Sequence, residues 1–530
     1  MAFTTLLPSS SRRDIIIIAT IICLLTIIIS FRSVFTDHVP GRPPVGELPK
    51  FGNTPKPTSL PSPVEDKEIL QSLTITSSTS SIASTTSTST IATSTMVIPV
   101  TSETVTGGCD SFPDTSDILL VMKTGATEAY DKLPIHFLTT LKCANDSILF
   151  SDMEMDMAGH HLIDSLDEVS EEIKTNNDDF NLYRTLQTYH ELREDPRPLK
   201  NGPNGWNLDK YKFLHMLLKT YKYRPDAPWY VFIEADTALI WDNLRTFLNK
   251  LDPKKPYYIG SPTYLDIEFA HGGTGYIISQ EAMEVAVGKH PDIATKYDKS
   301  VHGICCGDAM IGKVLLDEKI KLSKAWPMMN GEKPSTLPFG TNQWCQPVMT
   351  MHHLTAQEVS QVWNFEQERR TQGITVSPPQ TPPQTPFPHL YLHPPLQRPL
   401  LFMDIFNHFV KPTLLPHRDD WNNLSNDIIY TPPPSDQPDK KYAGQKWTDL
   451  SDPQRSSADS PDNCEKVCDA DKDCFQWMHT DRECRIGRSI KMGGSKGMEQ
   501  GRKFVSGWKF EKIEAFEKEM GNCSKVDWTM

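Results

Sequence analysis

Short apolar runs alternate with amphipathic stretches in the middle of the chain. The runs DILLVMKTG (117–125), DSILFSD (146–152) and WYVFI (229–233) each stop at a glycine or at acidic residues, as buried β-strands do. Between the last two, NLDKYKFLHMLLKTY (207–221) predicts a helix, with Asn207 as its cap and an apolar face formed by Phe213, Leu214, Leu217, Leu218 and Tyr221. Strands alternating with helices predict an α/β domain with a mainly parallel sheet.

A continuous apolar run, from Ile15 to Ile29, lies near the N-terminus and follows Arg12 and Arg13. It predicts a cytoplasmic tail over 1–13 and a transmembrane signal anchor over 14–34, with the rest of the chain in the lumen. A cleaved signal peptide is the alternative. The absence of a small-residue cleavage site after the run favours the anchor.

Three proline-rich stretches divide the remainder of the chain. Residues 35–108 are rich first in Pro and then in Ser and Thr, a composition that cannot bury enough apolar surface to fold. We expect an extended stalk there, either O-glycosylated or a plain disordered linker. A globular domain over 109–430 follows, with an unstructured insertion at about 371–398. A linker over 431–441 then leads to a small cysteine-rich module over 442–530.

Charge and cysteine content narrow the function classes. The net charge of −13 gives no basic surface for phosphate neutralisation, which excludes a nucleic-acid partner. Of the eleven cysteines, Cys23 falls inside the predicted anchor, and the even number that remains suits disulfides in an oxidising compartment. We expect Cys305 and Cys306 to bond to other cysteines, with metal binding as the alternative. Three glycosylation sequons agree with a lumenal location: Asn145, Asn423 and Asn522.

Two acidic residues, Glu234 and Asp236, follow the WYVFI run directly. Ligands of open α/β sheets bind at the carboxyl ends of the strands, where these side chains are expected. Carboxylate oxygens there can hold a divalent cation, which would neutralise a departing diphosphate. A turn with two solvated acids is the alternative.

Three further stretches hold candidate chemistry. The glycines of FAHGGTGYIIS (269–279), among them Gly273, allow close backbone approach or make a tight turn. Asp308 precedes an amphipathic run, so it serves either as a helix N-cap or as a general base beside a cleft. His352 and His353 offer neutral imidazoles, which accompany carboxylates around Mn²⁺ or Zn²⁺.

The order of these motifs resembles the Fringe and core 1 β1,3-galactosyltransferase family, glycosyltransferase family 31. The resemblance covers about 117–365, extending towards 430. It runs through a strand ending in TG, a strand ending in SD, a Lys-bearing helix, WYVFIEADT, GGTGYIIS, GDAMIG and HHL. It implies a GT-A fold, a UDP-sugar donor, Mn²⁺ and inversion at the anomeric carbon.

The resemblance also implies roles for individual residues. Asp236 is expected to bind the metal with His352 or His353, of which His352 is favoured. The family has Asp where this chain has Glu234, so Glu234 is expected to act through water. Asp308 is the expected base, alone because Gly307 replaces an acid. The donor-binding set is Thr124, Asp152, Lys212, Glu234, Asp236 and Gly273.

The C-terminal cysteines, in the spacing C-x3-C-x5-C-x9-C before SGWKFEKI, resemble a PAN/Apple module. That resemblance implies nested bridges, Cys464 to Cys484 and Cys468 to Cys474, and binding of protein or carbohydrate. The spacing lacks the C-x2-C pairs typical of zinc sites.

These expectations combine into a type II Golgi membrane enzyme that transfers a hexose from a UDP-sugar to a glycan or glycoprotein acceptor. A β1,3 linkage is implied by the resemblance. The alternative is an inactive, membrane-tethered glycan-binding protein, which Glu234 and the missing acid before Asp308 would fit.

Overall fold

The structure is a computed structural model that describes residues 109, 112–201, 205–372, 398–434, 441–442, 445–499, 501–526 and 528. The predicted cytoplasmic tail (1–13), transmembrane anchor (14–34) and stalk (35–108) lie outside the described residues, as do most of the insertion and of the linker. Among the helices of the described ranges, none has both the length and the apolar character needed to cross a membrane.

The larger part of the structure is built on an eight-stranded sheet with the order β11-β7-β10-β5-β1-β2-β4-β3. The strands of this part are β1 (Ile118–Lys123), β2 (Ser147–Ser151), β3 (Met155–Met157), β4 (His160–Asp164), β5 (Trp229–Glu234), β6 (Ala238–Leu239), β7 (Tyr258–Gly260), β8 (Pro262–Tyr264), β9 (Glu268–Ala270), β10 (Tyr276–Ser279), β11 (Leu322–Lys324) and β12 (Thr350–Met351). Its helices are α1 (Ala126–Leu138), α2 (Glu171–Thr175), α3 (Asn181–Leu192), α4 (Gly205–Asp209), α5 (Lys212–Tyr223), α6 (Trp241–Leu248), α7 (Gln280–Met283), α8 (Ile293–His302), α9 (Gly307–Asp317), α10 (Ala356–Thr371) and α11 (Phe402–Ile405).

The sheet is mixed rather than mainly parallel. Strand β1 pairs in parallel with both β2 and β5, but β10 runs antiparallel between β5 and β7. The strands expected at the three apolar runs form as β1, β2 and β5. The expected helix over 207–221 is broken into α4 and α5, so Asn207 lies inside α4 and is not a cap.

Alternate residues of the central strands face opposite layers of helices. Leu119 and Val121 of β1 point into a core shared with α5, α8 and α9. Leu120 and Met122 point into a second core shared with α1 and α6. A strand buried on both faces is expected to be apolar throughout, which explains the continuous run ILLVM. The larger part is therefore a three-layer α/β/α domain, consistent with a GT-A-like fold.

The smaller, C-terminal part is built on an antiparallel sheet with the order β13-β21-β18-β19-β15. Its strands are β13 (Arg418–Asp419), β14 (Trp421–Asn422), β15 (Ile428–Tyr430), β16 (Lys441–Tyr442), β17 (Gln445–Lys446), β18 (Gln476–Thr480), β19 (Glu483–Gly487), β20 (Gly494–Ser495) and β21 (Val505–Trp508). Its helices are α12 (Asp452–Ser456), α13 (Pro461–Ala470) and α14 (Phe510–Met520). Disulfides Cys464–Cys484 and Cys468–Cys474 close this part in the nested pairing that the resemblance implies.

The C-terminal sheet begins before the proline cluster at 431–434. Strand β13 pairs with β21, and β15 pairs with β19, so both strands belong to this sheet although the sequence pattern places them in the preceding domain. The pattern misleads because prolines normally mark a boundary between domains, whereas here they connect two parts of one sheet.

The two parts are joined by a covalent bond and by a shared core. Cys345 forms a disulfide with Cys523, and the backbones of Phe339 and Ile490 exchange hydrogen bonds of 2.9 and 2.8 Å. Trp344 packs edge-on against Phe516 with ring centroids 5.0 Å apart. The C-terminal part is thus packed firmly against the larger domain.

One predicted glycosylation site is wrong in the folded chain. Asn423 is fully buried, and its side-chain amide donates to the carbonyls of Trp477 and Gly507. An amide nitrogen that carried a glycan could not occupy this position. The other two sequon asparagines, Asn145 and Asn522, are exposed.

Candidate active site

The carboxyl ends of the parallel strands β1, β2 and β5 lie at one edge of the sheet and form the floor of a cleft of about 570 Å³. The glycine-rich segment before β10, the start of α9 and the loop after β12 contribute its remaining walls. Every candidate catalytic, donor-binding and metal-binding residue of the sequence lines this cleft: Thr124, Asp152, Lys212, Glu234, Asp236, Gly273, Asp308, His352 and His353.

A group of alternating charges occupies the end of the cleft near β1 and β2. Lys212, which is 2% exposed, lies 2.9 Å from Asp152 Oδ2 and donates to the Thr124 carbonyl at 3.1 Å. Asp152 in turn accepts from the backbone of Ala126 at 2.7 Å, where α1 begins. The position of the Lys212 ammonium is therefore fixed by the ends of two strands, and a helix start fixes its carboxylate partner.

A second buried lysine, Lys123, lies beside the first. Its Nζ is 2.5 Å from Asp209 Oδ2 and 3.0 Å from Glu234 Oε1. Burial on its own would lower the pKa of Lys123, but the two carboxylates raise the pKa above its ordinary value. Burial on its own would raise the pKa of Asp209, but the ammonium groups of Lys123 and Lys212 lower it to about 2. Both side chains are therefore charged at any physiological pH.

The side chains of Asp236, His352 and His353 form a candidate metal centre. One ligand atom from each lies within 4.8 Å of the others. The pairing of β6 with β12 positions Asp236 and His352 next to each other, and the Leu354 amide donates to the Asp236 carbonyl at 2.9 Å. His353 follows in the left-handed region, with φ of 64°.

The ligand atoms and their surroundings fit a divalent cation. Asp236 Oδ1 and His352 Nδ1 are both buried and have no hydrogen-bond partner among the residues that the structure describes, although His352 Nε2 is 3.2 Å from Asp236 Oδ1. A Cβ added at Gly273 would fall 2.2 Å from the His352 ring, so only glycine leaves room for that imidazole. One carboxylate and two imidazoles are a donor set typical of transition-metal sites.

Electrostatics keep Asp236 ionised. Burial on its own would raise the pKa of Asp236, but His352 and Lys132 outweigh it and lower that pKa well below its usual range. The Lys132 ammonium on α1 lies 3.1 Å from Asp236 Oδ2 and also pairs with Glu128. A carboxylate that stays charged is available to a cation at any physiological pH.

Glu234 lies beside this centre and pairs with Lys123. Its Oε1 is taken by Lys123, and its Oε2 is 3.9 Å from His352 Nε2. It is therefore a neighbour of the metal centre and not a member of the group of three ligands.

Asp308 lies on another wall of the same cleft, in the first turn of α9. It is not the N-cap, which is Cys306. Its Oδ2 accepts from the Gly272 amide at 2.7 Å, and its Oδ1 accepts from the Ala309 amide at 2.9 Å. Burial raises the pKa of Asp308 above the ordinary aspartate value. A carboxylate held by two backbone amides and more basic than usual is suited to accept a proton.

The cysteines before Asp308 do not pair as expected. Cys305 and Cys306 form a disulfide with each other, and both line the cleft. The expectation of separate partners is wrong because the other described cysteines pair among themselves, which leaves these two neighbours for each other.

Several cleft residues were missed by the sequence reasoning. The sequence does mark Lys123, because a charged residue ends the otherwise apolar strand ILLVMK. No sequence pattern marks Lys132 or Asp209, because charges on helix surfaces are common and only the fold brings these two side chains to the cleft. His271, inside the glycine-rich motif, has its ring 5.8 Å from that of His352.

Comparisons with known proteins find a partial sequence match. No family model matches the chain. Over 90 residues the chain is 29% identical to glycoprotein-N-acetylgalactosamine 3-beta-galactosyltransferase 1 of Xenopus laevis, a stretch that covers 17% of this chain and 25% of the relative. The match therefore spans a quarter of that protein's length. It supports a distant relationship to glycosyltransferases of family 31.

Proposed function

We propose that this protein is an inverting, metal-dependent glycosyltransferase that moves a hexose from a UDP-sugar to a glycan or glycoprotein acceptor. The observation that carries the proposal is the meeting, in one cleft, of the group Asp236, His352 and His353 with the amide-bound Asp308. The partial identity to a galactosyltransferase favours a galactose donor and a β1,3 linkage.

We assign the donor site to the end of the cleft whose floor is formed by β1, β2 and β5. Asp236, His352 and His353 would hold Mn²⁺, which supplies positive charge to a diphosphate and to its departure. Thr124, Asp152, Lys212 and Gly273 line the adjoining wall, where the nucleotide is expected. Lys132, partly exposed beside Asp236, is the cation of this chain best placed to contact a phosphate oxygen.

The acceptor step is assigned to Asp308. Its carboxylate takes the proton from an acceptor hydroxyl as that oxygen attacks the anomeric carbon from the face opposite the leaving UDP. One displacement converts an α-linked donor into a β-linked product. The amides of Gly272 and Ala309 hold the carboxylate in place and restrict its rotation.

The cellular setting is proposed from the sequence. A signal anchor over 14–34 and a stalk over 35–108 would tether the catalytic part in the Golgi lumen as a type II membrane protein. The described disulfides suit an oxidising compartment of this kind. The C-terminal part, PAN/Apple-like in its cysteine spacing, would add a surface for glycan or protein.

The test is UDP release by the full-length chain from UDP-galactose, UDP-glucose and UDP-N-acetylhexosamines, with Mn²⁺ and with a chelator. Turnover that requires Mn²⁺ and falls by at least about a hundredfold in Asp308→Asn is expected. Linkage analysis of the product then reads the stereochemistry. A folded chain that binds glycans but releases no UDP from any donor overturns the proposal and favours the inactive glycan-binding alternative.

A further inference from the structure

The wall of the cleft beside Asp308 has an unusual composition. It contains the Cys305–Cys306 disulfide, which closes a small ring across one peptide bond immediately before α9. Cys305 is exposed and Cys306 half-buried, and both residues line the cleft. An indole, that of Trp206, also lines the cleft and is 66% exposed.

The disulfide and the indole are attached to one structural unit. Gly307 packs so closely on the start of α5 that an added Cβ would fall 2.3 Å from Phe213 and 2.4 Å from the Lys210 carbonyl. Lys210 Nζ donates to the His302 carbonyl at 3.2 Å, and the Tyr211 hydroxyl lies 3.1 Å from His302 Nδ1. The loop before α9 is therefore fastened to the segment that bears Trp206.

This wall offers little hydrogen bonding but much polarizable apolar surface. A disulfide has no proton to donate, and an exposed indole inside a cleft presents a broad apolar face to a ligand. The C–H face of a pyranose ring matches such a surface, while its hydroxyls remain free to reach a polar group. Asp308, two residues beyond Cys306, is that group on the same wall.

We propose that the Cys305–Cys306 disulfide and Trp206 form the acceptor subsite, which takes a pyranoside by its C–H face and directs one of its hydroxyls at Asp308. The inference rests on the proposed glycosyltransferase function, which it deepens by assigning the acceptor a binding surface and a chemical class. The disulfide has a second effect, because the ring it closes restricts the backbone that presents Asp308.

Binding can be measured separately from turnover. The full-length chain is loaded with Mn²⁺ and UDP and titrated calorimetrically with p-nitrophenyl α- and β-glycosides of galactose, N-acetylgalactosamine, N-acetylglucosamine and mannose. We expect at least one glycoside to bind, and the variants C305S/C306S and Trp206→Ala to weaken it by about tenfold, the loss expected of one well-packed apolar contact. The UDP dissociation constant is expected to stay within about twofold.

Matched controls separate local from general effects. The variant C109S/C143S removes another disulfide, which does not line the cleft, and Tyr223→Ala removes an exposed aromatic ring that also lies outside it. Neither is expected to change glycoside affinity. Trp206→Phe keeps an aromatic face and is expected to recover most of the affinity, which keeps the test decisive if the serine pair unfolds.

The outcomes distinguish this inference from the proposed function. If the wild-type chain binds UDP but none of the glycosides, or if C305S/C306S and Trp206→Ala bind them unchanged, the acceptor subsite is overturned while the transferase proposal stands. If the wild-type chain binds no UDP and releases none from any donor, the proposed function fails first.

Discussion

Lys123 Nζ lies 3.0 Å from Glu234 Oε1, and the two residues are direct partners in the parallel register of β1 and β5. This contact explains why an acid follows the apolar strand without joining the metal ligands. A buried ammonium needs carboxylates near it, and Glu234 supplies one from the neighbouring strand. The acidic pair after WYVFI therefore has two tasks, with Glu234 neutralising Lys123 and Asp236 facing the imidazoles.

Replacing Glu234 should affect the fold more than the metal site. In a double-mutant cycle of Lys123→Met and Glu234→Gln, we expect a coupling free energy of about 1 kcal/mol in urea unfolding, since the two side chains touch. Glu234→Gln should retain Mn²⁺ affinity within about threefold, whereas Asp236→Asn should lose at least about a hundredfold, because of these two residues Asp236 alone belongs to the proposed ligand group. Electron paramagnetic resonance titration measures both. Equal losses in the two variants would make Glu234 a ligand.

The close contact between Gly273 and His352 gives a second prediction. In Gly273→Ala the new methyl group would displace the imidazole, so Mn²⁺ affinity should fall by at least about tenfold. Gly340→Ala is the matched control, because nothing lies within 4 Å of an added Cβ there. Calorimetric titration with Mn²⁺ alone distinguishes them. Unchanged affinity in Gly273→Ala would show that His352 does not hold the metal.

Stability should depend on pH through His136. Burial lowers the pKa of His136 from 6.5 to about 4, although the Ala235 carbonyl accepts from its ring. As the pH falls from 6.5 to 4, the unfolded chain takes up a proton that the folded chain refuses, so this residue lowers the free energy of unfolding over that window. The full effect is on the order of 3 kcal/mol.

His136→Gln should remove that part of the slope. Urea unfolding between pH 7 and pH 4 measures it, and the exposed His190 on α3 provides the control His190→Gln. A slope identical in wild type and His136→Gln would mean that His136 ionises in the folded chain.

Glycan mapping should find Asn423 unmodified. Its amide donates to two buried carbonyls and its Oδ1 accepts from Ser425, so Asn423→Ala should also cost about 2 kcal/mol of stability. Peptide mass spectrometry of the purified full-length chain before and after glycosidase treatment gives the occupancy, and thermal unfolding gives the stability. Asn522→Gln, at an exposed sequon, is the stability control. A glycan on folded Asn423 would contradict this packing.

The strands that floor the cleft can be read from the sequence more readily than the limits of the C-terminal sheet. Local patterns found β1, β2 and β5, and parallel strands necessarily end at one edge, so Thr124, Asp152 and Asp236 could be grouped without coordinates. The roles of Lys132 and Asp209 depend on where two helices pack, which no local pattern records. Likewise, the bond between Cys305 and Cys306 depends on how the other cysteines pair. The burial of Asn423 depends on how β18 and β21 pack around it.

The disulfide between Cys345 and Cys523 has a consequence for the proposed binding of an acceptor. This disulfide and the surrounding aromatic core hold the C-terminal sheet against the larger domain. A glycan or protein bound by that sheet would therefore stay at a fixed distance from Asp308. Such a rigid spacing between the two parts would favour long acceptors whose two recognised points are separated by the same distance. Ending the chain at residue 430 would cut through this sheet and remove Cys523, so both the binding surface and its covalent attachment would be lost.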